Sequence, residues 1–207
     1  SEMCIRDSYN SVMNIKATGL ITKSSSGETL DAYFPVIEFN DQKTDIQDIS
    51  TDNLEKEVVE IHWTQKDLDK PVEDVLSAYL KLHLISYRFV LPNSINLDGL
   101  FNALPNVAWT NKGPISIDEI DQELLNSKQN KNDLFIRSLD KFPQLVDYII
   151  PKNVRIADTS RVRLGAYLSP GTTIMHEGFV NFNAGTLGTA MIAVSYTHLT
   201  LPTNREV

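Results

Sequence analysis

The run Val162-Arg163-Leu164-Gly165-Ala166-Tyr167-Leu168-Ser169-Pro170-Gly171-Thr172-Thr173-Ile174 sets an aliphatic residue at every sixth position, and the register extends both ways. Ile150, Ile156, Val162, Leu168, Ile174, Val180 and Thr186 are six aliphatics and one threonine. The residues four places after each, Val154, Ser160, Ala166, Thr172, Gly178, Ala184 and Ala190, are all small or β-branched. Neither the 3.6-residue period of a helix nor the two-residue period of a strand sustains such a register over seven cycles. A parallel β-helix does, because each unit is one short flat strand plus a corner, with the aliphatic side chain stacked inward. Five of the nine glycines (Gly165, Gly171, Gly178, Gly185, Gly188) fall within this stretch, where tight corners need backbone freedom.

Outward from the repeat, the chain reads differently. Val12 to Thr22 and Leu30 to Phe39 are rich in β-branched and aromatic residues and flank Ser24-Ser25-Ser26-Gly27, which predicts two strands and a loop. A third strand is expected over Val58 to Trp63, after a polar, acidic stretch from Asn40 to Asp52. Pro71 can open a helix whose apolar side carries Val72, Val75, Leu76, Tyr79, Leu82 and His83 through about Phe89. Ser116 and Glu119 form an S-x-x-E capping box for a second helix through Leu125, and a third helix is expected over Asp133 to Leu139. This part predicts a small α/β domain with no evident chemistry.

The 207 residues are 42% hydrophobic and 22% charged, with one cysteine. One cysteine excludes a disulfide framework and a four-cysteine zinc site, and no apolar run approaches the ~20 residues of a membrane span. The expected compartment is the cytoplasm. A net charge of −8 argues against nucleic acid and anionic membranes as partners and favours small molecules or proteins.

The two ends are related through their codons. If Met3-Cys4-Ile5-Arg6-Asp7 is written ATG TGT ATA AGA GAC, its reverse complement reads GTC TCT TAT ACA CAT, or Val-Ser-Tyr-Thr-His, which is the run from Val194 to His198. Residues 1–8 and 193–207 are therefore expected to be adapter-derived and are set aside from fold reasoning. The expected organisation is an N-terminal α/β domain over 9–149 and a partial β-helix over 150–192, with C-terminal coils missing. The 184 residues from Tyr9 to Ile192 lack Glu2, Asp7, Glu206, Arg6 and Arg205, leaving 24 acidic and 17 basic residues and no cysteine. Cysteine nucleophiles and His198 as a ligand then drop out. Seven six-residue units ending on an open apolar interior predict that the polypeptide alone is poorly soluble and inactive.

The string Met175-His176-Glu177-Gly178-Phe179-Val180-Asn181-Phe182-Asn183-Ala184-Gly185-Thr186-Leu187-Gly188-Thr189, with the residues from Val162 before it, closely resembles the tetrahydrodipicolinate N-succinyltransferase family in its actinobacterial and pseudomonad branch. Strong resemblance covers about Arg155 to Ile192. It implies a homotrimeric, left-handed β-helix acyltransferase of the diaminopimelate route to lysine. Succinyl-CoA would be the co-substrate and L-2-amino-6-oxopimelate, the ring-opened tetrahydrodipicolinate, the acceptor. It implies no prosthetic group, an active site between subunits, a CoA arm along later coils, and by analogy a divalent cation such as Mg on the trimer axis.

Moving an acyl group from a thioester to an amine requires a neutral amine, a proton acceptor and donors for the developing oxyanion. The resemblance puts Glu177 in the central catalytic role, as general base or as a transient acyl anhydride. His176 is the second candidate base, or a corner residue that holds Glu177. Asn181 and Asn183, two apart, are expected to face outward together if Val180 faces inward, as substrate ligands or an amide ladder. Thr186 breaks the aliphatic register beside Gly185, which suggests either close backbone approach to substrate or a plain loop. Arg163, with Arg155 and Arg161, suits carboxylates and phosphates. Phe179 is a candidate substrate contact, although it and Tyr167 also suit corner packing.

Two other readings compete. A carbonic-anhydrase-like metalloenzyme on the same coil needs several converging histidines, and the coil supplies only His176; stoichiometric zinc would favour it. A non-catalytic β-helix binding module predicts no thioester binding, and the departures from the repeat at His176–Gly178 and Gly185–Gly188 argue against it.

Overall fold

The computed structural model describes residues 14–46, 48, 49 and 56–193. The adapter-like segments and the first two residues of the first expected strand, Val12 and Met13, lie outside the described residues, apart from Ala193. Strands β1 (Asn14–Lys23), β2 (Thr29–Phe39), β3 (Gln42–Lys43) and β4 (Glu57–Thr64) form an antiparallel sheet in the order β3-β2-β1-β4. The alternation in β1 dictates its faces, with Ile15, Ala17 and Ile21 buried and Asn14 and Lys16 exposed. Helix α1 (Gln65–Asp69) follows directly, with Thr64 and Asp67 forming its capping box.

The next helix, α2 (Val75–Ser86), begins later than Pro71 suggested. Asp74 caps it by accepting a hydrogen bond from the Ser77 N–H at 2.7 Å, and Pro71 stays outside. The one-sided burial expected of this helix is also incorrect, since every residue from Ala78 to Ser86 is buried. A helix apolar on most sides sits between layers. Here α2 packs on β2 and on the first coil of the solenoid. Among its buried polar side chains, the Ser86 hydroxyl accepts a hydrogen bond from the Gly165 N–H at 2.8 Å, and Lys81 and His83 find backbone carbonyls. The Lys81 ammonium donates to the carbonyls of Leu68, Lys70 and Asn96 at 3.2, 2.5 and 2.7 Å, and His83 Nδ1 lies 2.7 Å from the Tyr79 carbonyl.

Helix α3 (Leu100–Ala103) leads into a second antiparallel sheet, β6-β5-β7, built from β5 (Val107–Thr110), β6 (Gly113–Ser116) and β7 (Ile136–Asp140). The third expected helix is thus a strand. Ile136 pairs with Thr110 and Leu139 with Ala108, so β5 supplies the backbone partners that decide the conformation. Helix α4 (Ile120–Asn130) exists, but the Ser116–Glu119 box does not form. Glu119 is the N-cap with no side-chain cap bond, and its carboxylate instead accepts hydrogen bonds from the Ser25 N–H and hydroxyl in the β1–β2 loop.

From Arg155 the chain winds as a parallel solenoid. Strands β8 (Arg155–Ile156), β10 (Thr173–Ile174) and β12 (Met191–Ile192) stack in parallel at 18-residue intervals. Strands β9 (Tyr167–Leu168) and β11 (Gly185–Thr186) stack with the same interval on a second side. A parallel bridge between Val162 and Val180 marks the third. Three six-residue units therefore make one coil. Val162, Leu168, Ile174 and Val180 are buried in its interior. One apolar cluster runs without a break from Ile15 and Phe34 through α2 to these coil residues. Gly165 is a tight joint in it, since a Cβ there would stand 2.5 Å from Leu82 and 2.7 Å from Phe182.

Candidate active site

Because Val162 and Val180 point inward and pair with each other, their neighbours along the chain point outward on the same side. Arg161 and Arg163 form the lower rung of this outer face, and Phe179 and Asn181 the upper. Glu177 stands at the corner that feeds the upper rung, in the turn closed by the Gly178 N–H on the Met175 carbonyl at 2.8 Å.

The corner carboxylate has a built partner. Arg161 Nη2 lies 3.2 Å from Glu177 Oε2, and Arg161 Nε lies 3.4 Å from Asp158 Oδ2. Coil geometry explains the meeting, because the 3-10 turn Thr159–Arg161 passes one coil, 18 residues, below the 177–179 corner. Asp158 is fixed by the Ser160 hydroxyl at 2.6 Å and by the Ser160 N–H at 3.0 Å. These bonds, with the nearby Arg161 charge, hold the Asp158 carboxyl below the usual aspartate range. His176 Nε2 is 4.0 Å from Glu177 Oε1, beyond hydrogen-bond reach, and the His176 side chain is 75% exposed. Glu177 is half exposed and open to a ligand approaching from solvent.

Arg163 gathers a second group. Its guanidinium donates to Asp140 Oδ2 at 2.9 Å and reaches Asn181 Oδ1 at 3.4 Å. It also lies over the rings of Phe142 and Phe179, at 5.2 and 5.7 Å. Arg163, Phe179 and Asn181 thus come together as one patch. Asp140 and Phe142 complete it from the end of β7, and sequence reasoning missed both because no period links them to the coil. Both arginines are already neutralised in this arrangement, so an incoming carboxylate or phosphate would exchange with Asp140, Asp158 or Glu177.

Asn183 and Gly185 are placed elsewhere. Asn183 lies in the Phe182–Asn183 turn with φ +56°, not on a strand shared with Asn181. Its amide clasps Asn93, with Oδ1 accepting from the Asn93 N–H at 2.7 Å and Nδ2 donating to Asn93 Oδ1 at 2.8 Å. Gly185 is needed for coil-on-coil approach, because a Cβ would fall 1.8 Å from the Tyr167 carbonyl oxygen. The break in register at Thr186 has a similar local cause. Its hydroxyl meets that of Thr172 at 2.6 Å and accepts from the Ser169 N–H at 3.1 Å, and the Ser169 hydroxyl donates to the Thr186 carbonyl at 2.7 Å. This buried hydroxyl cluster satisfies itself. Arg155, in β8, is exposed.

Among the described residues, no three His, Cys, Asp or Glu side chains gather as a metal site. Among them, too, no helix is long and apolar enough to cross a membrane.

Comparison with known proteins agrees with this picture. A family described as tetrahydrodipicolinate N-succinyltransferase middle matches residues 104–144, the second sheet and α4. A 2,3,4,5-tetrahydropyridine-2,6-dicarboxylate N-succinyltransferase of Salinispora tropica is 40% identical over 189 residues, 84% of this chain and 59% of that protein. The enzyme of the same name from Pseudomonas aeruginosa is 54% identical over 124 residues, 60% of this chain and 36% of that protein. The chain thus spans about a third to three-fifths of the length of the curated relatives it matches. A Campylobacter jejuni crystal structure, described as a candidate 2,3,4,5-tetrahydropyridine-2-carboxylate N-succinyltransferase, superposes with a TM-score of 0.73 at 26% identity. That match covers 91% of this chain and 63% of the other. Over these spans in sequence, and in fold, the chain is similar to tetrahydrodipicolinate N-succinyltransferases.

Proposed function

We propose that this chain supplies the front domain, 9–149, and the first coils, 150–192, of an acyltransferase that moves a succinyl group from succinyl-CoA to the amine of L-2-amino-6-oxopimelate. The observation that carries this reading is Glu177, held by Arg161 at an open corner, inside the string Met175–Thr189 that resembles the tetrahydrodipicolinate N-succinyltransferase family, in a chain similar to relatives that bear the N-succinyltransferase name. In the transfer, the neutral amine attacks the thioester carbonyl, the C–N bond forms, and the C–S bond breaks to release CoA. Glu177 takes the amine proton and passes it to the departing sulfur, so that CoA leaves as the thiol and the carboxylate is restored. Arg163 and Asn181 orient the acceptor's carboxylates along the outer face, with the Phe179 ring beside them. Asn183 and Gly185 act one step back, by fixing the turn and the coil that carry this face.

The finer assembly belongs to the same proposal: a left-handed coil, a homotrimer with the site between neighbours, a CoA arm on later coils and a cytoplasmic setting. The test is CoA release from succinyl-CoA by the polypeptide that carries this chain with the further length of its relatives. Release that requires the amino-oxopimelate acceptor is expected. Acceptor-independent hydrolysis, or no release, would overturn the assignment.

A further inference from the structure

The segment that leaves β7 runs beside the first coil. Gln144 forms an antiparallel bridge with Arg163, and the Leu145 and Leu164 N–H groups donate to the carbonyls of Val162 and Pro143 at 2.9 and 3.0 Å. This pairing sets Asp140, the last residue of β7, against the outer face of the coil. Its carboxylate is fixed by its own turn, since Oδ1 accepts from the Lys141 N–H at 2.7 Å and from the Phe142 N–H at 3.4 Å. The buried Trp109 indole N–H holds the Asp140 carbonyl at 2.9 Å. Oδ2 is left for Arg163 Nη2.

Such a carboxylate is a preorganised partner. It loses little entropy on meeting Arg163, so it competes with a diffusing carboxylate at high effective concentration. The guanidinium is the member free to change sides. Its side chain is 28% exposed, and the Phe142 and Phe179 rings that flank it attract a cation without fixing the direction of its N–H bonds. We propose that Asp140 is an internal competitor for the acceptor's carboxylate: it occupies Arg163 in the empty site, and the acceptor binds by taking the guanidinium from it. Asp140 thus acts through Arg163, as a positioning residue that holds down affinity for the acceptor and for the succinylated product that keeps the same carboxylates. The inference rests on the reading of the outer face as the acceptor's.

Titration calorimetry with pimelate, the seven-carbon dicarboxylate skeleton of the acceptor, tests this without any thioester, on the polypeptide that carries this chain with the further length of its relatives. Asp140→Asn is isosteric and keeps an oxygen for the Lys141 N–H, so the turn survives. It weakens the hold on Arg163 and removes the repulsion of an incoming anion, and both effects have the same sign. Pimelate should bind about tenfold more tightly to this variant than to the unmodified protein. In the double variant with Arg163→Gln, the gain should vanish. Steady-state kinetics should show a lower KM for the acceptor and an unchanged KM for succinyl-CoA. A gain in affinity cannot come from misfolding. Pimelate binding that is unchanged or weaker in Asp140→Asn, or a gain that persists with Arg163→Gln, would overturn the inference alone. No pimelate binding by either the unmodified protein or Asp140→Asn would overturn the inference together with the reading of the outer face.

Discussion

Arg161 is the residue on which the candidate site turns, since one guanidinium bridges Asp158 and Glu177 across a single coil. On the proposed reading it is a positioning residue that keeps the carboxylate turned to the open face. Arg161→Gln should lower kcat by about tenfold with KM little changed, and Arg161→Lys should recover part of the loss, as steady-state kinetics on the parent enzyme would show. A change confined to KM would mean that Arg161 binds substrate instead. At the other end of the fold, His83 is fully buried and burial depresses its pKa to about 4. The folded state therefore takes up a proton less readily than the unfolded chain, whose histidine titrates near ~6.5. Stability from this group is complete above that value and is lost as pH falls toward 4. The loss reaches about 3 kcal/mol at ~1.4 kcal/mol per pKa unit. Urea unfolding at pH 7 and pH 5 should show the decline, and a His83→Leu variant should show a smaller one.

Within the solenoid, the element that decides the fold is the 18-residue coil, and glycine placement sets how closely coils stack. Gly185→Ala puts a Cβ against the Tyr167 carbonyl and should destabilise the chain by about 1–3 kcal/mol, whereas Gly188→Ala, with open space around it, should be near neutral. Equal denaturation midpoints for the two variants would contradict this account of Gly185. The coil was legible in the sequence because its six-residue period has no competing interpretation, and β1, β2 and β4 were legible because their β-branched runs carry their own signal. The β5–β6–β7 sheet was not. Its strands are four, four and five residues long, too short for periodicity to speak, and β7 takes its conformation from β5. Glu177, Arg163, Phe179 and Asn181 could be picked out from a motif and from outward-facing positions. Asp140 and Phe142 could not, because they reach Arg163 only through tertiary packing. Asn183 and Gly185 sit in the same motif, yet their contacts are with Asn93 and Tyr167, a distinction that only three dimensions reveal.

Across the whole molecule, α2 is the axle. It is buried between the first sheet and the first coil, and the apolar cluster that surrounds it includes residues from both. Far-UV circular dichroism and tryptophan fluorescence should therefore report one coincident unfolding transition, and two separated transitions would show that front part and coil are energetically independent. The same continuity lets the front domain shape the site, through Asp140 on Arg163 and Asn93 on Asn183. The account rests most heavily on Glu177 as the catalytic carboxylate. The most direct measurement is kcat for succinyl-CoA-dependent acyl transfer by the parent enzyme and by Glu177→Gln, an isosteric change that removes the proton acceptor. A loss of about 100-fold or more in kcat with the fold intact is predicted. Activity within a few-fold of the unmodified enzyme would contradict the account.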